Sequence, residues 1–383
     1  MKKNVLKSVS MMIVLLSAFM TACSQQAGTG APAGQNAGSS EPGASAAKSK
    51  NDEVVIGFSV GTMKQERWQR EVKMAQKYAD EKGFKLIVQS CEEDAAKQVQ
   101  QVEGMLTQGI DALLISAQDS ESSGVIVEKA HQAGVPVVAY DRLVRNGDLD
   151  YYITFDNVKV GELQAKMLAD RYPKGNYIWV LGGPEDNNAH LLKQGQESVL
   201  KPYMDKGDIK IVVQQWAKGW NPEEALKIAE NGLTKAKNDV VAVIASNDGT
   251  AGGVVQALES QGLAGKVGVS GQDADIAALQ RIVEGKQTGT VYKPTQVLNQ
   301  TAMDLVYALA AKDEAKIKEL NSGNFKNGHV GTVDNGTKKV TSLLMDVQLV
   351  TKENVVDTVI KDGYQKMEDI YKNMPKDQWP KAQ

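Results

Sequence analysis

Short apolar runs alternate with amphipathic segments along most of this chain. The first run covers residues 54–60, and after it Trp68, Val72, Ala75 and Ala79 recur at intervals of three or four residues. A short apolar run is typical of a strand buried on both faces, and the second spacing is typical of a helix with one apolar face. The pattern therefore predicts a strand followed by a helix.

The alternation continues for more than 200 further residues. Strands are predicted at 85–89, 112–115, 135–139, 151–155, 177–181, 209–213, 240–245, 267–270 and 288–292, with helices between most of them. Strands apolar on both faces and joined by helices indicate parallel sheets covered on both sides. Because the pattern restarts after 151–155, we predict an α/β protein with two doubly wound parallel-sheet lobes.

We expect the polypeptide to pass from the second lobe to the first and back again near the C-terminus. Strand 288–292 and a helix near 297–311 would return the chain to the first lobe, and 342–350 would lead it back. The predicted boundaries, listed together, are 52–156 plus 291–336 for the N-terminal lobe, 157–290 plus 337–370 for the C-terminal lobe, and 371–383 for a tail.

The first 23 residues have the pattern of an export signal. Lys2, Lys3 and Lys7 precede an apolar stretch at 9–19, and small residues then precede Cys23. This stretch is too short for a transmembrane helix. The cysteine resembles the lipobox of bacterial lipoproteins, which predicts a lipoprotein signal peptide at 1–23 and lipid attachment at Cys23. The alternative is an ordinary signal peptide cut before a free Cys23 thiol.

Residues 24–51 are mostly Gly, Ala, Ser, Gln and Pro. Such a segment has too little apolar mass to offset its ordering entropy, so we expect a disordered tether. As a flexible coil it would span roughly 25–30 Å. That length suits a link between a membrane anchor and a folded body.

Composition limits the class of partner. The 383 residues are 42% hydrophobic and carry a net charge of −3, which suits two domains and gives no reason to expect nucleic acid. The only cysteine after residue 23 is Cys91, at the end of a strand pattern, where we predict a buried structural thiol.

Polar and aromatic side chains follow nearly every predicted strand, where open α/β sheets bind ligands. They include Arg67, Trp68, Asp141, Arg142, Asp156, Asn157, Asp186, Asn188, Trp216, Trp220, Asn247, Asp248, Gln272, Asp273 and Lys293. Carboxylates and amides accept from hydroxyl groups, cations and amides donate to them, and tryptophan covers weakly apolar ring faces. The set fits a neutral sugar. Singly, each Asp or Asn could instead cap a helix, and Asp141 with Arg142 could be a structural ion pair.

Enzymatic alternatives find less support. The segment 61–64 is not a glycine-rich phosphate turn, no Gly-x-Ser-x-Gly elbow occurs, and His131, His190 and His329 lack metal-ligand spacing. Asp141 and Asp273 could form a glycosidase pair, although an adjoining arginine would keep Asp141 ionised. We therefore predict no catalytic residue, metal or cofactor.

Eight motifs resemble the D-xylose-binding proteins of bacterial ABC importers, a branch of the ribose-, galactose- and xylose-type periplasmic binding proteins. They are, in order, ERWQ at 66–69, AYDR at 139–142, FDN at 155–157, VGELQAK at 160–166, DNNA at 186–189, ASND at 245–248, SGQDAD at 270–275 and VYKP at 291–294. The resemblance covers about 54–364. It departs from enteric members at 61–64, which leaves any ligand contact from that segment open.

The resemblance implies a type I periplasmic binding protein fold with a three-strand hinge. It implies sugar contacts from Arg67, Asp141, Arg142, Asp186, Asn188, Asn247, Asp273 and Lys293, with Trp68 and Trp220 stacking on the ring. The implied function is a monomeric, extracellular, lipid-anchored subunit that captures D-xylose and delivers it to a membrane permease. Ribose, arabinose and allose remain open as ligands. A sensor subunit signalling to a membrane kinase or chemoreceptor is the alternative; a sugar-responsive repressor and a hydrolase fit less well.

Overall fold

The computed structural model describes residues 53–325 and 327–380. The predicted signal peptide, the tether and the lipid attachment at Cys23 lie outside these residues. Within the described part, no helix is both long and apolar enough to cross a membrane.

Strands and helices alternate through the body of the chain. The elements are β1 (Val55–Val60), α1 (Glu66–Lys82), β2 (Lys85–Ser90), α2 (Ala95–Thr107), β3 (Ala112–Ile115), α3 (Gly124–Gln132), β4 (Val137–Tyr140), β5 (Tyr151–Phe155), α4 (Asn157–Arg171), β6 (Gly175–Leu181), α5 (Asn187–Asp205), β7 (Ile209–Trp216), α6 (Pro222–Ala236), β8 (Ala242–Ala245), α7 (Asp248–Ser260), β9 (Gly268–Val269), α8 (Ile276–Val283), β10 (Gly289–Tyr292), α9 (Thr295–Ala311), α10 (Glu314–Leu320), β11 (Asn324–Phe325), β12 (Gly328–Asp334), β13 (Lys339–Met345), β14 (Gln348–Thr351) and α11 (Met367–Ile370).

The strands form three sheets. The first has the order β11-β12-β13-β5-β4-β3-β1-β2, the second β7-β6-β8-β9, and β10 pairs with β14. All strand pairs of the second sheet are parallel, and so are those from β13 to β2 in the first. The prediction of two doubly wound parallel sheets is confirmed. We call the elements around the first sheet lobe 1, and those around the other two sheets lobe 2.

Three chain segments connect the lobes. They lie between β5 and α4, between β10 and α9, and between β13 and β14. Helix α9 packs Leu298 and Met303 into the core beneath β1, together with Ile56 and Phe58. The chain therefore returns to lobe 1 only after β10, and the predicted boundary at residue 291 is too early, because β10 pairs with β14 in lobe 2.

The predicted boundary at residue 337 is too early. Strand β13 pairs in parallel with β5, from Thr341 opposite Tyr151 to Met345 opposite Phe155, so it belongs to lobe 1. The predicted segment 342–350 contains the end of β13 and the start of β14, with the crossing between them. Apolar residues flank the polar break at Asp346 on both sides, so the sequence pattern was interpreted as one continuous segment.

Residues 371–379 are packed against lobe 2, which corrects the expectation of a tail beginning at residue 371. Tyr371 is buried in the cluster that covers α8 and β10, and its ring centroid lies 6.0 Å from that of Trp379. The Trp379 indole donates to the Met374 carbonyl at 3.0 Å. Aromatic residues at these positions provide the apolar area that holds the segment on lobe 2.

Cys91 is fully buried, and its thiol lies 3.1 Å from the Gly61 carbonyl oxygen. Burial raises the pKa of this thiol, which keeps it protonated. Both observations agree with the predicted structural role.

Candidate functional site

A small cavity lies where the carboxyl ends of the two parallel sheets face each other. Its walls surround about 280 Å³ of space, part of which is open to solvent. The lining residues are Gln65, Arg67, Trp68, Asp141, Arg142, Asp186, Asn188, Trp220, Asn247, Gln272, Asp273 and Lys293. All ten residues predicted to contact sugar are among them.

Local chain geometry explains how separate motifs reach one cavity. Arg67 lies in the first turn of α1, and Asp141 directly follows β4. From lobe 2, Asp186 follows β6, while Asp273 and Lys293 follow β9 and β10. Parallel strands place their carboxyl ends at one edge of a sheet, so the residues after them converge.

Arg67 joins both lobes through carboxylates. Its Nη2 atom lies 2.7 Å from Oδ2 of Asp141, and its Nη1 atom lies 3.4 Å from Oδ1 of Asp273. Its Nε atom donates to Glu71 at 2.9 Å. The guanidinium is thereby fixed in position without ligand, which reduces the entropy lost on binding.

Arg142 and Asp186 form a second bridge between the lobes. The Arg142 Nε atom lies 3.0 Å from Oδ2 of Asp186, and the Trp220 indole donates to the same oxygen at 3.2 Å. Lys293 lies between two carboxylates, 3.6 Å from Oδ1 of Asp141 and 3.7 Å from Oδ1 of Asp273.

The cavity holds equal numbers of each charge: Arg67, Arg142 and Lys293 against Asp141, Asp186 and Asp273. Burial raises the pKa of Asp141, but Arg67, Lys293 and Arg142 outweigh it, so the net shift is downward. Burial raises the pKa of Asp186, and Arg142 only partly opposes this. Opposite charges that balance within the wall suit a ligand that is itself neutral.

Asp186 and Asn247 serve as helix caps as well as cavity walls. The Asp186 side chain accepts from the Asn188 amide at the start of α5, and Asn247 accepts from the Thr250 amide at the start of α7. A helix-capping role and a position on the cavity wall are therefore compatible for both residues. Capping uses one oxygen of each side chain and fixes its orientation.

Asn188 links the lobes through an amide. Its Nδ2 atom donates to the Asp141 carbonyl at 3.0 Å, and its Oδ1 atom accepts from Asn157 at 3.0 Å. A fixed amide defines which of its atoms can donate to or accept from a ligand.

Both tryptophans are held at the indole nitrogen. Trp68 donates to Oε1 of Gln65 at 2.9 Å, and Trp220 donates to Asp186. Trp220 lies against Gly182, where an added Cβ would come within 2.4 Å of its ring. The glycine therefore allows the ring to lie flat along the chain after β6.

Three lining residues have left-handed backbone conformations: Asp141 at φ 59°, Trp220 at φ 57° and Asp273 at φ 102°. Such conformations cost about 1–3 kcal/mol each in a residue other than glycine and persist where the surroundings impose them. At these three positions of the cavity wall, the direction of the side chain is favoured over local backbone stability.

Gln65 and Gln272 line the cavity but are not among the ten predicted sugar contacts, although Gln272 belongs to the wider set of polar residues that follow the strands. Gln272 is only 4% exposed, and its side-chain oxygen has no hydrogen-bond partner. A buried acceptor without a partner is costly, which points to a ligand hydroxyl as the partner. The sequence signal for the two glutamines was their position next to Glu66 and Asp273. A neutral amide is a less specific signal for a binding site than the charged residue beside it.

The described residues contain no cluster of His, Cys, Asp and Glu that could hold a metal ion. The geometry defines a two-lobed binding protein whose cavity suits a small, neutral, hydroxyl-rich ligand.

Comparison with known proteins gives the family. Residues 56–314 match the model of the periplasmic binding protein domain. The chain is 46% identical to the D-xylose-binding periplasmic protein of Escherichia coli (strain K12) over 318 residues, covering 83% of this chain and 93% of the relative. It is 45% identical to the Haemophilus influenzae protein of the same name over 328 residues, covering 85% and 94%.

A solved structure also matches. It is a carbohydrate transporter solute-binding protein from Chloroflexus aurantiacus in complex with D-glucose, with a TM-score of 0.73 and 29% identity, covering 83% of this chain and 98% of that one. This chain belongs to the periplasmic binding protein family and has the type I fold of that family. Its relatives are binding proteins of transport systems, and it is not an enzyme.

Proposed function

We propose that this chain is the sugar-capturing subunit of an ABC importer, that it sits on the extracellular face of the membrane, and that its ligand is D-xylose. The observation that carries the proposal is the cavity. Three cations, three carboxylates, two amides predicted from sequence and two tryptophans surround a space suited to one small ring.

The choice of sugar rests on the relatives. Two relatives above 40% identity are named for D-xylose, whereas a neighbour that holds D-glucose is 29% identical. A pocket that excludes one small group discriminates by roughly 10–200-fold, so we expect glucose to bind measurably but weakly.

Closure of the lobes is the proposed capture step. Besides the charged bridges, Ser120 of lobe 1 donates its amide to the Glu185 carbonyl at 3.0 Å and accepts from the Asn187 amide at 2.9 Å. A sugar that contacts both lobes is bound fully only when they are closed, so it shifts the equilibrium toward that form. The closed form would be the one that a permease recognises.

A thermal-shift panel tests ligand identity. Residues 52–383 would be heated alone and with D-xylose, ribose, arabinose, glucose or galactose at 1 mM. A ligand present at 100 times its Kd adds about 2.7 kcal/mol to the unfolding free energy, which gives a clear rise in Tm. We expect the largest rise with xylose and a small one with glucose. A larger rise with another sugar would replace xylose as the ligand, and no rise with any would contradict sugar capture.

Anchoring and transport need separate tests in cells. Cys23→Ala should move the protein from the membrane fraction to the medium or the soluble fraction if lipid is attached at Cys23, whereas Cys91→Ala should not.

Deletion of the gene should abolish xylose uptake at micromolar sugar if the subunit delivers xylose to a permease. Normal uptake combined with a lost transcriptional response to xylose would favour the sensor role.

A further inference from the structure

Tyr364 lies at the centre of a hydrogen-bonded chain that runs from α1 to the cavity wall. Its hydroxyl accepts from Nη2 of Arg70 and donates to the backbone carbonyl of Asp273 at 3.1 Å. The Arg70 guanidinium also lies over the Tyr364 ring, 4.4 Å from its centroid. Tyr364 itself does not line the cavity.

The two ends of this series of hydrogen bonds belong to different lobes. Arg70 lies on α1, which covers the first sheet. Tyr364 is 5% exposed and packs in the cluster of lobe 2 that contains Tyr292 and Ala274. The Arg70 contact is therefore made only while the lobes are together, whereas the Asp273 contact stays within lobe 2.

The hydroxyl meets Asp273 at a strained point. Asp273 has φ 102° and Ala274 has φ 53°, two successive residues outside the ordinary regions for a side chain. The Asp273 amide is held by the Val291 carbonyl at 2.9 Å, and Tyr364 holds the carbonyl on the other side of the residue. Together they impose the backbone conformation that aims the carboxylate at Arg67 and Lys293.

We propose that Tyr364 is a positioning residue that couples lobe closure to the orientation of the sugar-binding carboxylate of Asp273. In the closed form, Arg70 donates to the hydroxyl and polarises it, which strengthens the bond that the hydroxyl donates to Asp273. When the lobes open, Arg70 withdraws with α1 and the bond to Asp273 weakens. Sugar release would thus be linked to opening at a residue that sugar never touches.

Tyr364→Phe removes the hydroxyl and keeps the ring beneath Arg70. The complete series of hydrogen bonds from Arg70 to Asp273 exists only in the closed form, so its loss should destabilise that form. We therefore expect xylose to bind about tenfold more weakly, mainly because it dissociates faster, as measured by stopped-flow fluorescence. The matched control is Tyr371→Phe, a tyrosine of equal exposure in the same cluster that does not contact Asp273. Its xylose affinity should stay within twofold of wild type.

A double-mutant cycle separates coupling between Arg70 and Tyr364 from independent effects of the two substitutions on xylose affinity. If Arg70 acts through Tyr364, Arg70→Met combined with Tyr364→Phe should bind xylose about as well as the weaker single variant. If the two fold-changes multiply, the residues act independently and the coupling is refuted. Unchanged affinity and unchanged dissociation in Tyr364→Phe would also overturn it.

This inference rests on the proposed function, and the two can fail separately. Wild-type protein that is folded but binds no sugar contradicts the proposed function, and the inference falls with it. Wild-type protein that binds xylose, with a Tyr364→Phe variant that behaves like it, contradicts the inference alone.

Discussion

Oδ2 of Asp186 lies 3.0 Å from Nε of Arg142 and 3.2 Å from the indole nitrogen of Trp220. Arg142 belongs to lobe 1, and the other two residues belong to lobe 2. The same carboxylate oxygen therefore contacts the opposite lobe and also holds the Trp220 ring in position. The oxygen is buried, and burial raises the pKa of Asp186 against the effect of Arg142. Several expectations depend on this arrangement.

Replacing Arg142 should weaken sugar binding strongly. Arg142→Ala leaves the Asp186 carboxyl buried without its cation, and losing one partner of a buried charge pair costs about 2–5 kcal/mol. We expect at least a ~30-fold loss of xylose affinity by calorimetry. Arg145→Ala is the matched control, since Arg145 pairs with Glu121 at the surface. Equal affinities for both variants would contradict the assigned role of Arg142.

Adding one methyl group at Gly182 should displace Trp220. The new Cβ would lie 2.4 Å from the indole ring, so the ring must move toward the cavity or the chain must shift. Gly182→Ala should therefore weaken xylose binding about tenfold or more and change the tryptophan fluorescence. Gly104→Ala is the control, because a Cβ there meets no atom within 4 Å, and alanine in helix α2 should be neutral or slightly stabilising. An unchanged Gly182→Ala variant would show that Trp220 does not line the ligand.

Gln272 should show opposite effects on binding and on stability. Gln272→Met removes a buried acceptor that has no partner in the protein, so the sugar-free Tm should stay equal or rise while xylose affinity falls about 3–30-fold. Gln98→Met is the contrast. Gln98 is fully buried and donates to Ser59 and Ser116 at 3.0 Å, so its loss should lower the unfolding free energy by about 1–3 kcal/mol. If Gln272→Met binds xylose as wild type does, Gln272 is not a sugar contact.

Stability should fall as pH rises from 5 to 7. Burial, opposed by Arg281 and reinforced by Asp273, raises the pKa of Asp248 to about 7. An unfolded aspartate loses its proton near pH 4, so between these values the folded state holds the extra proton. The unfolding free energy then decreases by up to about 1.4 kcal/mol per pH unit, and Asp248 adds no further slope above pH 7.

Asp248→Asn should flatten that dependence in denaturant titrations from pH 5 to 8. The control is Asp170→Asn, because Asp170 is exposed and pairs with Lys166 on the surface of α4. This control should retain the wild-type slope. A wild-type protein whose unfolding free energy does not change over this range would show that Asp248 ionises normally.

Much of the fold could be predicted because its strands are buried on both faces. Runs such as β3 and β8 are wholly apolar and fully buried, so their sequences carry the signal directly. Strand β12 went unpredicted since it alternates between partly exposed and exposed positions and contains two glycines. The lobe boundary near 337 failed because periodicity does not indicate which sheet a strand joins.

The site was predictable as a set of positions but not as a set of contacts. Residues after parallel strands converge, which placed Asp141 and Asp186 correctly on one cavity. The bridge from Arg67 to Asp273 spans 206 residues of sequence, and only the fold brings its partners together. The role of Gln272 depends on an oxygen without a partner, a property that exists only in three dimensions.

The most direct test of the account is calorimetric titration of residues 52–383 with D-xylose, alongside D-glucose. We predict one-to-one xylose binding with a Kd of about 1 μM or below, and glucose binding at least about tenfold weaker. Absence of heat with xylose across several temperatures, in protein that unfolds cooperatively, would contradict the proposal that this cavity captures xylose.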